Sequence, residues 1–93
     1  MNFEWDVNKN RKNVKKHGIS FEIAAKVFLD PKRIERYDAE HSSFGEERYK
    51  TIGMVNKILT VIYTERISAI RIISARIAEK EEIDEYYKNY ELR

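Results

Sequence analysis

The 93-residue sequence predicts an α+β fold, with two helices near the amino terminus, an antiparallel sheet in the middle and a helix at the carboxyl terminus. Three observations lead to this prediction. Two short helical segments each follow a capping side chain. A stretch rich in β-branched residues covers residues 48–75. Apolar residues then recur at helical spacing near the end of the chain. A chain of this length is expected to form one domain, residues 1–93, with a single modest core.

The first helix is predicted from its two ends. Residues 3–5 alternate apolar and polar side chains, which favours a short edge strand. Asp6 is a good N-cap for a helix over residues 7–16. Gly18 follows His17 in the position where many helices end in a left-handed conformation. We therefore expect a short edge strand and then a helix that stops at Gly18.

The second helix is predicted after Ser20, over residues 21–29. Asp30 and Pro31 end it, because proline cannot continue the helical hydrogen bonds and restricts the residue before it. The last helix is expected over residues 78–90, where isoleucine and tyrosine recur at i, i+3, i+4 and i+7. Both helices therefore have an apolar side to place against a sheet.

The middle of the chain is predicted to form strands at residues 33–37, 48–55, 58–64 and 70–75. A polar loop over 38–45 separates the first two, and Asn56 with Lys57 forms a hairpin tip. The last three strands make an antiparallel meander. We expect the helices on one face of a curved sheet, which leaves the other face partly open as a candidate site.

The composition excludes several classes of protein. The absence of cysteine rules out disulfides, thiolate ligands and a cysteine nucleophile, and it fits a reducing cytoplasm. The polar amino terminus does not resemble a signal peptide, and no apolar run approaches the length that spans a membrane. Two isolated histidines without ligand spacing make a poor metal site. We therefore expect a cytoplasmic protein without metal or other cofactor.

The charge is unevenly distributed along the chain. The net charge is only +2, yet residues 48–76 carry six Lys or Arg and one acid, whereas residues 37–47 carry four acids and no Lys or Arg. Basic blocks separated by acidic ones indicate one positive face. Such a face suits a polyanion such as RNA, or an acidic partner surface. A solvated mixture of charges is the alternative interpretation.

Three arginines in the β-rich region are candidates for holding a phosphate. Arg66, Arg71 and Arg76 never lose their charge and can bind phosphate oxygens two at a time. Metal-free RNA cleavage also needs a base for the 2′-hydroxyl and an acid for the leaving oxygen. The candidates for proton transfer are Glu47, Glu65 and His17, and those for stacking a base are Trp5, Tyr49 and Tyr63.

Strand alternation limits how these arginines can act together. In a regular strand Arg71 and Arg76 point to opposite faces. Either a bulge or a strand end redirects Arg76, or only some of the three arginines face the substrate. With a turn centred on residues 67–68, Arg71 lies opposite Thr64. Arg71 is therefore the first candidate, followed by Arg76 and then by Arg66 in the turn.

Two sequence blocks are specific when they occur together: residues 16–21, KHGISF, and residues 71–76, RIISAR. Further segments accompany them at residues 3–6, Lys9, Asn13, Ala24, 46–48, 51–53, 63–66, Glu82 and Tyr86. On these residues the chain resembles the BrnT-type toxins of bacterial type II toxin–antitoxin pairs over nearly its whole length.

The resemblance implies a RelE-like fold, with helices packed on a curved antiparallel sheet. It implies a metal-independent endoribonuclease that cleaves RNA and inhibits translation. It also implies a heteromeric complex with a BrnA-type ribbon-helix-helix antitoxin, through which alone operator DNA is bound. The family's motif arginines fall on Arg48, Arg66, Arg71 and Arg76, with Glu47 beside the first.

The candidates for substrate binding are basic residues and aromatic rings: Lys16, Arg48, Lys50, Trp5 and Tyr63. Two alternatives to catalysis stay open. One is a module that binds RNA or a protein partner on the same face without cutting. The other is a purely structural partner in a regulatory complex. Neither needs a general base, which the sequence does not identify uniquely.

Overall fold

The structure is a computed structural model that describes residues 1–91. Its helices are α1 Val7–His17, α2 Phe21–Ala25 and α3 Lys80–Glu91, and a 3₁₀ helix, Lys26–Leu29, follows α2 directly. Its strands are β1 Phe3–Glu4, β2 Ile34–Tyr37, β3 Tyr49–Val55, β4 Lys57–Glu65 and β5 Ile70–Ile77. The predicted α+β fold is confirmed. Among the described residues, no helix combines the length and the apolar character needed to cross a membrane.

The five strands form one sheet in the order β1-β5-β4-β3-β2. Successive strands from β2 to β5 are antiparallel neighbours, which makes a four-strand meander. β1 instead pairs in parallel with β5, with Phe3 opposite Ile70 and Glu4 opposite Arg71. Alternation in the sequence predicts β1 as an edge strand but does not reveal its partner, because this pairing joins residues far apart in the chain.

The amino-terminal helices begin and end at the predicted capping residues. Asp6 Oδ1 accepts hydrogen bonds from the amides of Asn8 and Lys9 at 2.8 and 3.1 Å. Gly18 has a φ of 72°, and its amide closes α1 by donating to the carbonyl of Val14. The predicted second helix is α-helical for little more than one turn and then tightens into the 3₁₀ helix.

Each face of the sheet carries its own core. On the helical face, α1, α2 and the 3₁₀ helix cover a core that includes Phe21, Ala24, Val27, Phe28, Leu59, Val61, Ile72 and Ala75. On the opposite face, called here the α3 face, a smaller core contains Ile34, Ile52, Ile58, Ala78 and Tyr86. The sequence places the helices on one face, but α3 lies on the other because strand alternation makes that face apolar at one end. α3 therefore covers part of the α3 face.

A bulge interrupts the regular alternation of β5. Ser74 lies opposite Ile62, but the next residue of β4, Tyr63, lies opposite Ile72. Ile73 is therefore the additional residue, and the side-chain alternation is offset by one position across it. A bulge is one of the two arrangements that the sequence leaves open for Arg71 and Arg76.

The bulge brings two of the candidate arginines to the same side of the sheet. Arg71 lies opposite Thr64, as predicted, and Arg76 lies opposite Thr60. Both threonines lie on the α3 face of β4, since each is an even number of residues from Ile58, which belongs to the core on that face. A regular strand would have placed the two guanidiniums on opposite faces.

The side chain of Asn13 forms hydrogen bonds to the part of β5 that does not pair with β1. The buried side chain of Asn13 accepts a hydrogen bond from the amide of Ala75 at 3.1 Å and donates to the carbonyl of Ala75 at 2.9 Å. It also donates to the carbonyl of Ile19 at 2.8 Å. The Asn13 amide thus satisfies the edge of the strand as a neighbouring backbone would, and it fixes α1 against the sheet.

The turn between β3 and β4 is tighter than predicted. Val55 lies opposite Lys57, and Asn56 between them has a φ of 62°. Lys57 therefore belongs to β4 and not to the hairpin tip. Asparagine adopts this left-handed conformation more readily than most residues.

Candidate active site

Most of the residues that the sequence singles out lie at three places around the sheet. The turn end, where the β4–β5 turn meets the loop before β3, holds Glu47, Arg48, Tyr63, Glu65, Arg66 and Arg71. The middle of the α3 face holds Lys50 and Arg76. The opposite end of the sheet holds His17 and, next to it, Lys16. Most of the candidates are therefore gathered at the turn end.

A concavity of about 470 Å³ opens at the turn end and is called here the turn concavity. β4 contributes its last two residues, the β4–β5 turn contributes Arg66, and the loop before β3 contributes two glutamates. The lining residues are Gly45, Glu46, Glu47, Tyr49, Thr64, Glu65 and Arg66. The turn concavity thus places one guanidinium among carboxylates and a phenol.

Arg66 is held at the turn concavity by its backbone. Its amide donates to the carbonyl of Ala69 at 2.8 Å, and its carbonyl accepts from the amide of Ala69 at 3.4 Å. Its side chain is exposed and makes no ion pair with any residue in the range 1–91. A fixed backbone with a free guanidinium is suited to receive phosphate oxygens. Geometry therefore favours Arg66, which the sequence ranks third.

Arg71 already has a carboxylate partner. Its Nη1 lies 2.8 Å from Glu4 Oε2, across the parallel pairing of β1 with β5. On its other side lies Thr64, whose buried hydroxyl has no hydrogen-bond partner among the residues described. A phosphate at Arg71 would compete with Glu4, so Arg71 is less free than the sequence suggests.

Arg48 helps to shape the loop before β3. Its Nε and Nη2 donate to Glu46 Oε1 at 3.1 and 3.0 Å. Its amide donates to the hydroxyl of Ser42 at 2.8 Å, and that hydroxyl donates to the carbonyl of Asp38 at 2.7 Å. These bonds hold the loop against β3, and with it the position of Glu47.

Tyr49 lies beside Glu47, one of the two glutamates that are candidates for the general base. Its hydroxyl lies 3.5 Å from Glu47 Oε2. Partial burial, and then the negative charges of Glu47 and Glu65, raise the pKa of Tyr49. The phenol therefore stays protonated at neutral pH and is a hydrogen-bond donor. The sequence suggests only a stacking role for this ring, and it does not reveal that the hydroxyl lies beside Glu47.

Two aromatic candidates for stacking lie within the packing of the helical face. Tyr63 is 5% exposed, with ring centroids 5.1 Å from Phe28 and 5.8 Å from Tyr49. Trp5 is half-buried and meets Phe21 edge-on at 6.2 Å. The ring of Tyr63 is not open to a nucleobase, because Phe28 and Tyr49 already pack against it. Tyr63 instead supports Tyr49.

Arg76 and Lys50 hold α3 on the sheet. Arg76 Nη1 and Nη2 donate to the two carboxylate oxygens of Glu82 at 2.7 and 3.1 Å, and Lys50 Nζ lies 3.3 Å from Glu82 Oε2. The amide of Glu79 donates to the same carboxylate at 2.8 Å. Burial alone would raise the pKa of Glu82, but these hydrogen bonds and the charge of Arg76 outweigh it and lower the pKa to about 2. Both cations are therefore engaged by the protein itself.

Lys16 and His17 are remote from the turn concavity. They end α1 beside a groove that is also lined by Asn56 of the β3–β4 turn. From that turn, β4 runs over nine residues to Glu65, a length of about 26 Å at the usual rise of a strand. A single phosphate cannot contact both His17 and Arg66.

One group of three possible metal ligands occurs within residues 1–91. Its members, Asp38, Glu40 and His41, have ligand atoms within 4.8 Å of one another, and Asp38 Oδ2 lies 2.7 Å from His41 Nδ1. The group lies in the loop between β2 and β3 and does not line the turn concavity. The glutamates of the turn concavity do not form such a group in the described part of the chain.

The fold and the turn concavity define a class of protein. The chain is a small α+β protein whose open sheet end carries an unpaired guanidinium, carboxylates and a phenol. Phosphodiester cleavage without a metal uses such groups to move protons and to stabilise the charge of the reacting phosphate.

Comparison with known proteins identifies the family. Residues 5–82 match the family described as the ribonuclease toxin, BrnT, of type II toxin–antitoxin systems. The chain belongs to the BrnT family of ribonuclease toxins, as the sequence resemblance predicts, and membership of a toxin–antitoxin family implies an antitoxin partner.

The structure is also similar to a solved relative. The match is the 1.1 Å crystal structure of the Brucella abortus ribonuclease toxin, BrnT, with a TM-score of 0.64 and 28% sequence identity. It covers 86% of this chain and 99% of the Brucella chain. No curated protein sequence matches the chain significantly.

Proposed function

We propose that this protein is the toxin of a type II toxin–antitoxin pair and acts as a metal-independent endoribonuclease that inhibits translation. The observation that carries the proposal is the free guanidinium of Arg66 in a concavity shared with Glu47, Glu65 and Tyr49. Belonging to the BrnT family supports the same activity.

The proposed reaction begins with the 2′-hydroxyl of the substrate. Glu47 or Glu65 takes its proton, and the 2′-oxygen forms a bond to the adjacent phosphorus. Arg66 stabilises the negative charge of the pentavalent phosphate. The bond to the 5′-oxygen breaks, and that oxygen takes a proton from the hydroxyl of Tyr49. The products are a 2′,3′-cyclic phosphate and a 5′-hydroxyl.

Cleavage in excess EDTA tests this proposal. We expect purified protein to cut RNA under these conditions, and Arg66→Ala to slow the cut by about 100-fold, the usual effect of losing a charge-stabilising group. Arg11→Ala is the matched control, because Arg11 is exposed on α1 and away from the turn concavity. RNA that stays intact with and without ribosomes would refute the proposal. An unchanged rate in Arg66→Ala would remove Arg66 from the site.

We further propose that the antitoxin is a BrnA-type ribbon-helix-helix protein, that operator DNA is bound only through it, and that the pair acts in the cytoplasm. Co-expression followed by gel filtration should give one complex that retards operator DNA. The toxin alone should not retard it. Separate elution of the two proteins would contradict a stable complex.

A second function remains a candidate because Arg48, Arg71 and Arg76 all face carboxylates of the protein. In this alternative the protein binds RNA or its antitoxin without catalysis, within a complex that regulates transcription. RNA binding that weakens steeply with salt and yields no product would favour it.

A further inference from the structure

A second concavity lies beside the turn concavity and shares two of its residues. It also has a volume of about 470 Å³ and is called here the tyrosine concavity. Its lining residues are Met1, Arg33, Glu35, Arg36, Tyr37, Tyr49, Tyr63, Glu65 and Ile70. Tyr49 and Glu65 line both concavities, so a molecule bound in one lies next to the other.

Tyrosines from three neighbouring strands form one wall of the tyrosine concavity. Tyr37 lies opposite Tyr49, and Tyr49 lies opposite Tyr63. The ring centroids of each pair are 5.8 Å apart. Tyr63 is buried beneath the row, whereas Tyr37, at the β2 edge, is 54% exposed. A planar ring could therefore stack on the exposed Tyr37, because aromatic side chains stack on nucleobases of any sequence. It would meet Tyr49 edge-on, since the rings of Tyr37 and Tyr49 are inclined at 77°.

A carboxylate beside this wall can select among the bases. Glu35 lies two residues before Tyr37 on β2, and its Oε1 accepts from Arg33 Nε at 3.2 Å. Its Oε2 has no partner among residues 1–91, and the side chain is 47% exposed. A carboxylate accepts hydrogen bonds and donates none. Guanine is the base that presents two adjacent donors, N1–H and the N2 amino group, to such an acceptor.

We propose that the tyrosine concavity is a subsite for a guanine base next to the phosphate bound at Arg66. The base stacks on the exposed ring of Tyr37 and meets the ring of Tyr49, inclined at 77° to it, edge-on, and Glu35 accepts hydrogen bonds from the Watson–Crick edge of the base. This assignment rests on the proposed ribonuclease function, since it places the base of a nucleotide whose phosphate occupies the turn concavity.

Binding of nucleoside monophosphates tests the subsite without any need for cleavage. The probes are the 3′-monophosphates of guanosine, adenosine, cytidine and uridine, followed by shifts of the tyrosine ring signals in NMR spectra. We expect the guanosine form to bind tightest and to shift the signals of Tyr37 and Tyr49. Glu35→Gln should weaken guanosine binding by about tenfold or more, because a hydrogen bond to a charged acceptor is lost.

Matched variants separate recognition from general effects. Glu81→Gln removes an equal charge from an exposed position on α3 and should leave guanosine binding unchanged. Tyr37→Phe keeps the ring and should retain binding, whereas Tyr37→Ala should lose it. The exposed positions of Glu35 and Tyr37 make these variants compatible with folding, which circular dichroism verifies.

The outcomes distinguish this inference from the proposed function. Equal binding of all four nucleotides, or guanosine preference that survives Glu35→Gln, would overturn the subsite. RNA cleavage without preference for guanine next to the cut would leave the ribonuclease proposal standing and reject the subsite. Guanosine preference without cleavage of any RNA would support the subsite and count against the ribonuclease.

Discussion

Arg48, Arg71 and Arg76 each pair with a carboxylate within 3.0 Å, whereas Arg66 forms no ion pair with any of residues 1–91. The four side chains are chemically identical, so their partners decide what each can do. A guanidinium already paired with a carboxylate must lose that partner before it grips a phosphate, and this loss reduces the net gain on binding. At the scale of single residues, partner placement therefore separates the unpaired Arg66 from the three paired arginines.

The hydroxyl of Tyr49 gives a prediction at the same scale. Tyr49→Phe keeps the ring between Tyr37 and Tyr63 but removes the proton donor beside Glu47. We expect kcat for RNA cleavage to fall by about 100-fold with little change in KM, the range for losing a proton-transfer group. Tyr87→Phe, on the exposed part of α3, is the control. A variant as fast as the parent protein would show that the leaving oxygen takes its proton elsewhere.

At the scale of secondary structure elements, α3 is attached both by a buried tyrosine and by charge. Tyr86 packs into the core of the α3 face, and cation–carboxylate pairs join the helix to the sheet through Arg76, Lys50 and Arg36. The hydroxyl of Tyr86 adds a hydrogen bond to Asp30 at 2.5 Å. Because two of these pairs share Glu82, part of the attachment of α3 depends on the ionisation of one carboxylate.

This attachment gives a prediction about pH. The pKa of Glu82 is about 2 in the folded protein, against 4.5 for an unperturbed glutamate. Because the folded protein binds this proton less readily than the unfolded chain, the contribution to stability is complete above pH 4.5 and is lost as the pH falls towards 2. We expect Glu82→Gln to lower the free energy of unfolding by about 2 kcal/mol at pH 7, the range for hydrogen bonds to charged groups.

Urea denaturation between pH 7 and pH 2 measures this difference. The gap between the parent protein and Glu82→Gln should close below pH 4.5, while Glu81→Gln should track the parent protein throughout. A gap that stayed constant down to pH 2 would mean that lost packing, and not lost charge, accounts for the effect.

Local signals in the sequence were enough to predict the elements themselves. Helix caps and stops act within a few residues, so they can be recognised in the sequence. Examples are the caps Asp6 and Ser20, the stop at Gly18 and the break at Pro31. These local signals do not show how the elements are arranged relative to one another. The partner of β1 and the face chosen by α3 depend on contacts between residues far apart in sequence.

The candidate site was predictable in part for the same reason. The residue types that line the turn concavity, including Glu47, Glu65 and Arg66, follow from charge and strand position. The order of preference among the arginines does not follow from the sequence, because Glu4 and Glu82 come within reach of Arg71 and Arg76 only in the folded chain. The sequence makes His17 a candidate because it ends a helix. In the structure, the length of β4 separates His17 from the turn concavity.

At the scale of the whole molecule, a net charge of +2 is too small to bind RNA by overall attraction. Binding should therefore depend on a few exposed cations near the turn end. For a single strand, each phosphate contact contributes about 0.7 to the slope of log affinity against log salt concentration. We expect Arg66→Ala to reduce this slope by about 0.7, measured with a 2′-O-methyl oligonucleotide that cannot be cut.

Arg11→Ala again serves as the control and should leave the slope unchanged. If both variants reduced the slope equally, binding would be spread over the surface and would not centre on the turn end.

The additional residue Ile73 also has a consequence for the comparison of related sequences. Because the bulge absorbs one position, a spacing of five residues between Arg71 and Arg76 is equivalent to a spacing of four in an unbulged strand. A relative without the bulge would then need a one-residue gap opposite Ile73 for its arginines to align. An ungapped alignment of such a pair would match residues from opposite sides of the sheet and would make two equivalent sites look unrelated.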